Sequence, residues 1–217
     1  MTADRRRYSP KEVEQQHLQA MGDAVGPIYH ALWKDVVLLH YKWQQYRALF
    51  ATSSEDLRLL NSVAGFFFQI IEGVIGDDVL LHLARLVDPA TSLGRVDKAN
   101  VTVRVLPSLI LDAAFASKVT DLVNDAQTRC AFAVDARNRR IAHRDRALAL
   151  NHPAAKPLAP VTRGDIEAAL TSIRAVLCAV HGHYLHMDPG FERFVAPPGA
   201  EALLYYLRRG LGQGESL

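Results

Sequence analysis

Cysteine is almost missing: Cys130 and Cys178 are the only two in 217 residues. They stand far apart in apolar helical contexts, which excludes a small disulfide-stapled scaffold and fits buried thiols in a reducing, cytoplasmic compartment. Long charge-free runs are missing too. The longest, residues 59–71 and 175–187, hold thirteen residues each, short of the roughly 18 that a bilayer span needs, so no membrane partner is expected. The basic cluster Arg5, Arg6, Arg7 is followed by no apolar segment, so no secretory signal is expected. There is no fixed-period repeat and no strand-preceded Gly-rich phosphate loop, since Gly210, Gly212 and Gly214 lie at the tail. Excess charge is lacking as well: Lys and Arg exceed Asp and Glu by only two, so charge as a whole does not announce a nucleic-acid partner. What remains is 49% hydrophobic and 22% charged residues, the composition of a globular chain with a real core.

Apolar residues recur at helical spacing in four long stretches. Ile28, Leu32, Val36, Leu39, Trp43, Tyr46 and Phe50 define the first, with Gly26 and Pro27 marking its start. The second runs from about Leu57 to Val87, with Val63, Phe67, Ile70, Val74, Leu81 and Ala84 expected on one buried stripe and Asp88-Pro89 as its stop. Trp33, Trp43, Phe66, Phe67 and Phe68 are expected in the core. Residues 90–104 lose the period, and Val101, Val103 and Val105 alternate as in a strand, but with no second strand to pair the segment reads as an excursion. Pro107 suits a first helical turn. Beyond it Val119, Leu122, Ala126, Cys130, Ala133, Ile141 and Leu148 trace a third helix or a broken pair. A Pro- and Ala-rich loop, residues 151–160, precedes the fourth helix, capped by Thr162 with Asp165 and striped by Ile166, Leu170, Ile173, Leu177, Val180, Tyr184 and Met187. The expectation is an all-α antiparallel bundle over residues 1–188, with short helices at the termini and a C-terminal extension, 189–217, holding a helix near 200–211.

The densest charge feature is Arg137, Arg139, Arg140, Arg144 and Arg146, with Asp145 the one acid between residues 137 and 146. Five guanidinium groups so close repel one another unless an anion or acidic neighbours compensate, which points to a phosphate-bearing partner. The alternative is a solvated face paired to Asp77, Asp78 or Asp88. Within the run, Arg137-Asn138 is followed by Ala142-His143, and Asp78, His82 and Arg85 place polar groups on one strip of the preceding apolar helix.

The segment Ala136-Arg137-Asn138-Arg139-Arg140-Ile141-Ala142-His143 resembles the Arg-polar-x-x-x-x-His signature of the HEPN superfamily. With Asp77 to Pro89, Asn100 and the Ala-Pro loop, the likeness extends over about Trp33 to Tyr184 and is closest to the AbiU-like abortive-infection branch. The resemblance implies an all-α, usually dimeric protein in which two Arg-His sets form one composite site. It further implies a metal-independent endoribonuclease without cofactor, acting in phage defence or as a toxin with a cognate antitoxin, or else a non-catalytic module binding RNA, nucleotide or protein.

In such chemistry an imidazole takes the ribose 2′-hydroxyl proton or protonates the leaving oxygen, the role of His143. A guanidinium binds the charge developing on phosphate, the role of Arg137. On a regular helix positions 137 and 143 are about 120° apart, whereas 139 and 143 share a face, so Arg139 competes with Arg137 unless the helix ends near Ala142 or the site is shared between subunits. Asn138, Asp145 and Asp78 are supporting candidates, and Arg140, Arg144 and Arg146 are RNA-contact candidates. Asp145 can also balance the arginines, and Asp78 can serve an internal salt bridge. His143 can instead bind helix-end carbonyls. His181, His183 and His186 do not share one helical face as metal ligands would; His40, His82, His143 and His181 from separate helices are the other metal arrangement open to a bundle.

Overall fold

A computed structural model describes residues 9–91, 99–191 and 199–214. The Arg5–Arg7 cluster, residues 92–98 of the excursion and residues 215–217 lie outside them. The described residues form eight α-helices: α1 (Pro10–Phe50), α2 (Ser54–Leu86), α3 (Leu106–Leu109), α4 (Ala113–Arg129), α5 (Ala131–Ala136), α6 (Arg146–Ala149), α7 (Arg163–Leu185) and α8 (Ala200–Gly214). Among them the extended backbone pairs only at one isolated bridge, Thr91 with Ala99. The protein is all-α. Its residues group into two compact units, each assembled from three stretches of chain.

The first unit holds residues 1–36, 85–131 and 161–189. Here α4 packs along α7, burying Val119, Val123 and Ala126 from one helix and Ile166, Leu170, Ile173, Leu177 and Val180 from the other. The expected cap is present: Thr162 Oγ1 accepts the Asp165 N–H at 3.2 Å, and the Thr162 N–H donates to the Asp165 carboxylate at 2.8 Å. Two satisfied donors fix where α7 begins. Its apolar stripe stops at Val180. Tyr184 is only half-buried, and Met187 is exposed beyond the left-handed His186 that ends the helix. Cys130 is fully buried, and burial, with Asp125 nearby, pushes its thiol up to about 12. The excursion is not a strand: Val103–Val105 form a 3-10 turn. Buried Thr102 ties it down by donating to the Leu86 carbonyl at 2.9 Å. Pro107 does sit in the first turn of α3.

Gly26 and Pro27 do not start the first helix. Helix α1 begins at Pro10 and breaks at Gly22, whose φ of 68° is open to glycine without strain. Pro27 follows the break closely enough to forfeit only one ladder bond. Gly26 has a different reason to lack a side chain: a Cβ there would lie 2.9 Å from Leu18 Cα and 3.1 Å from the His17 carbonyl oxygen. The segments before and after the break touch backbone to backbone. Gly26→Ala should therefore lower stability by about 1–3 kcal/mol through overpacking, read as a fall of several degrees in melting temperature. An unchanged melting temperature would contradict the close approach.

The second unit holds residues 37–84, 132–160 and 190–217. The C-terminal segment, expected as an appendage, is integral to it: Ala200 and Leu204 are buried against Leu49, Leu60 and Phe68. The Gln45 side chain accepts the Ala200 N–H at 2.6 Å, and Arg208 pairs with Asp56. Ser53, Thr52 and that arginine together hold the Asp56 carboxyl below its ordinary range.

The largest departure concerns α2. Leu60, Phe68, Val79, Leu80, Leu83 and Ala84 are buried, but of the expected stripe only Ala84 is. Val63, Phe67, Ile70, Val74 and Leu81 are exposed, and so is Phe66, against the expectation of a core position. The helix is apolar on nearly every face, so periodicity alone does not say which side the protein covers; it is also broken at Ala64 (φ −159°, ψ 60°). By length and composition it could cross a bilayer, with a mean hydropathy of 1.5 over its most apolar stretch, although charge-free runs excluded this.

Candidate functional site

The Arg-rich run lies wholly in the second unit, and its backbone is unusual. Helix α5 passes into a π turn over Arg137–Ile141. The Ala142 N–H reaches back five residues to the Arg137 carbonyl at 2.9 Å, and the Asp145 N–H reaches back six to the Arg139 carbonyl at 3.0 Å. Each bond spans more chain than an α-helical one, so the turn holds extra residues and side chains no longer advance by 100° per position. The chain leaves the helix at Ala142 and bends through His143 before Asp145 caps α6, its Oδ1 accepting the Leu148 N–H at 2.9 Å. The 120° separation calculated for a straight helix therefore does not apply to Arg137 and His143.

Inside this frame the five arginines divide. Arg139 is half-buried and anchored three times: to Asp135 at 3.2 Å, to Asp145 at 3.7 Å, and to the Lys156 carbonyl of the Ala-Pro loop. Arg140 pairs with Asp77 of α2 at 2.6 Å. Arg137 is half-buried, and its Nε donates to Asn138 Oδ1 at 3.1 Å. Arg144 and Arg146 are exposed, and no described residue pairs with either side chain; exposed His143 between the π turn and Arg144 likewise makes no side-chain hydrogen bond with a described residue. The helix-end carbonyls do not hold it.

The acids named as supporting candidates are occupied. The Leu148 N–H, with the Ala147 N–H and Arg139 behind it, holds the Asp145 carboxyl below its ordinary range. It stays an anion that shapes the turn. Asp78 forms a salt bridge with Lys42 at 2.6 Å. Asp135 was not singled out from sequence, though its i, i+4 spacing to Arg139 was visible; the Lys156 carbonyl left no sequence signal.

Three of the histidines weighed as metal ligands have other neighbours. His181 Nδ1 is 2.9 Å from the Tyr29 hydroxyl, His183 stacks on Phe115 with ring centroids 3.9 Å apart, and His40 is buried against Phe191. Among the described residues no group of three or more His, Cys, Asp or Glu side chains could hold a metal ion. What the run presents is an exposed imidazole followed by two guanidinium groups that have no partner among the described residues, while Arg137, bonded to Asn138, sits at the head of the π turn. Such a set can bind a phosphodiester and exchange protons with it.

The family model HEPN_AbiU2, described as AbiU2, matches residues 22–194, about four-fifths of the chain. No curated protein and no solved structure matches significantly.

Proposed function

The chain belongs to the AbiU2 family of HEPN domains, and from that premise we propose that it is a metal-independent endoribonuclease of abortive infection or a related toxin system. The observation that supports this most is the partition of the arginine run: Arg139 and Arg140 are consumed by intramolecular partners, while Arg144, Arg146 and His143 are left to solvent. Neighbouring guanidinium groups with no partner among the described residues are best satisfied by a polyanion.

In this reading His143 accepts the 2′-hydroxyl proton or protonates the leaving 5′-oxygen. The 2′-oxygen attacks the adjacent phosphorus, the P–O5′ bond breaks, and a cyclic phosphate remains. Arg137 binds the phosphate oxygens as charge develops on them. One Arg-His set is sparse for holding phosphate, activating the nucleophile and protonating the leaving group, so two copies of the chain would contribute jointly. DNA lacks the attacking hydroxyl and is spared.

The test is incubation of purified protein with single-stranded RNA in excess EDTA, followed by analysis of product ends. Cleavage leaving cyclic phosphate is expected. RNA binding without cleavage would favour the non-catalytic HEPN reading, and cleavage abolished by EDTA would refute metal independence. Arg144→Gln and Arg146→Gln should each weaken RNA binding and reduce the slope of log affinity against log salt by about 0.7, the single-strand value per phosphate contact. An unchanged slope would return both residues to a solvated face.

A further inference from the structure

The side of α2 turned to solvent carries an apolar surface that the ribonuclease chemistry does not use. Phe66 is 78% exposed, Val74 59%, Phe67 56% and Ile70 48%. After the break at Ala64, Phe67, Ile70, Val74, Asp77 and Leu81 follow one another at steps of three and four, a 3.5-residue repeat along one narrow stripe. A stripe of that period matches the seam of one helix on another.

We propose that this seam is where a second copy of the chain docks, helix α2 against helix α2 in antiparallel orientation. The inference names the surface for the dimer of the preceding reading and rests on it to that extent. Three observations select this occupant. The first is area: at about 150–200 Å² for each large side chain, the exposed parts of Phe66, Phe67, Ile70, Val74 and Leu81 come to about 500 Å², within the upper range of what monomers expose. Two such faces together come to about 1,000 Å², the size a specific interface needs. The second is charge. A parallel pairing would set Asp77 against Asp77 in the seam; the antiparallel one separates them and seats Ile70 of one copy beside Val74 of the other, with the same patch used twice as two-fold symmetry requires. The third separates a protein partner from a bilayer: Glu72, Asp77 and Asp78 interrupt α2, and toward its C-terminal end Val79, Leu80 and Leu83, on the face away from the seam, are already buried in protein. Asp77 also joins the seam to the arginine run, through its 2.6 Å pair with Arg140.

Sedimentation of the full chain at about 50 μM should give a dimer, and the double variant Phe67→Glu, Val74→Glu a monomer with unchanged helical circular dichroism, since both side chains point to water. As a check independent of acidic substitutions, Ile70→Cys and Val74→Cys proteins mixed and mildly oxidised should yield a mixed covalent dimer, and Leu81→Cys alone should not cross-link. A monomeric wild type, a double variant that remains dimeric, or efficient Leu81→Cys cross-linking would overturn the inference. So would flotation of a monomeric wild type with anionic lipid vesicles. A dimer through α2 that leaves RNA intact would remove the ribonuclease reading alone; RNA cleavage by a protein that stays dimeric after the double substitution would remove the docking surface alone.

Discussion

Replacing His143 with alanine is expected to cut RNA cleavage by about 10²–10⁴-fold, the usual scale for a general acid-base group, while leaving the melting temperature within a degree or so. The two halves of that expectation have separate causes. His143 is exposed in a bend, and its side chain makes no hydrogen bond with a described residue, so truncation removes no packing and leaves no buried group unpaired. Its imidazole is also the group assigned to exchange protons with the substrate. Wild-type cleavage by pure His143→Ala protein would end its assignment. Arg137→Ala is expected to be comparably inactive, and if the site is shared between two copies, mixing the two inactive proteins should restore part of the activity. Arg139→Ala is expected to fail differently. It frees Asp135 and the Lys156 carbonyl, so it should loosen the turn and lower stability along with activity.

The second large effect is acid sensitivity well above the pH at which carboxylates titrate. In the first unit His17, His30 and His181 are all buried. His17 Nδ1 lies 3.1 Å from His30 Nδ1, and the His17 ring stands edge-on to His181 with centroids 5.6 Å apart. Burial pulls His17 down from 6.5 to about 4, with His181 and His30 adding to it. Burial also lowers His30, with Lys34 adding to it and Glu14 opposing, and lowers His181 against an opposing pull from Asp188. Folded-state values below the unfolded ones mean that between about pH 6.5 and 4 the unfolded chain binds protons the folded chain refuses. The stability is complete above pH 6.5 and drains away as pH falls through that window. For His17 alone the drop from 6.5 to about 4 corresponds to about 3 kcal/mol, a large part of the 5–15 kcal/mol typical of a domain. Asp56, Asp145 and Asp165 have lowered values and yield their contributions below about pH 4, so the two losses are separable. Denaturant midpoints at pH 7.5, 6, 5 and 4.5 should fall steadily, and His17→Phe should flatten the profile. Equal midpoints at pH 7.5 and 4.5 would show that the cluster is not neutral.

The parts of the fold legible in sequence were those governed by local rules. The Thr162–Asp165 cap, the α7 stripe through Val180 and the first-turn Pro107 each depend on neighbours a few residues away. Helix α2 was misread because periodicity reports that a face avoids water, not what covers it; Phe67, Ile70 and Val74 have the spacing of a core while Phe68 and Leu83 occupy it. Pro27 misled for a related reason. Proline punctuates most helices, but here the break belonged to Gly22, whose backbone angle only the structure reveals. At the candidate site the arginine run and His143 were plain, yet the choice between Arg137 and Arg139 was posed on a straight helix. The π turn depends on which carbonyl each N–H selects, and the anchoring of Arg139 depends on a carbonyl seventeen residues away.

The break at Gly22 has one more consequence. The stretch matching the AbiU2 family starts at that residue, so the helical segment before it, with His17 only 1% exposed among Tyr29, His30, Trp33 and His181, lies outside the shared region while plugging its interior. The stretch matched by the family and the stretch that fills this interior thus have different borders on the chain. A fragment trimmed to residues 22–194 would open a hole lined by two histidines and a tyrosine hydroxyl, and water would enter where a neighbouring ring now stands.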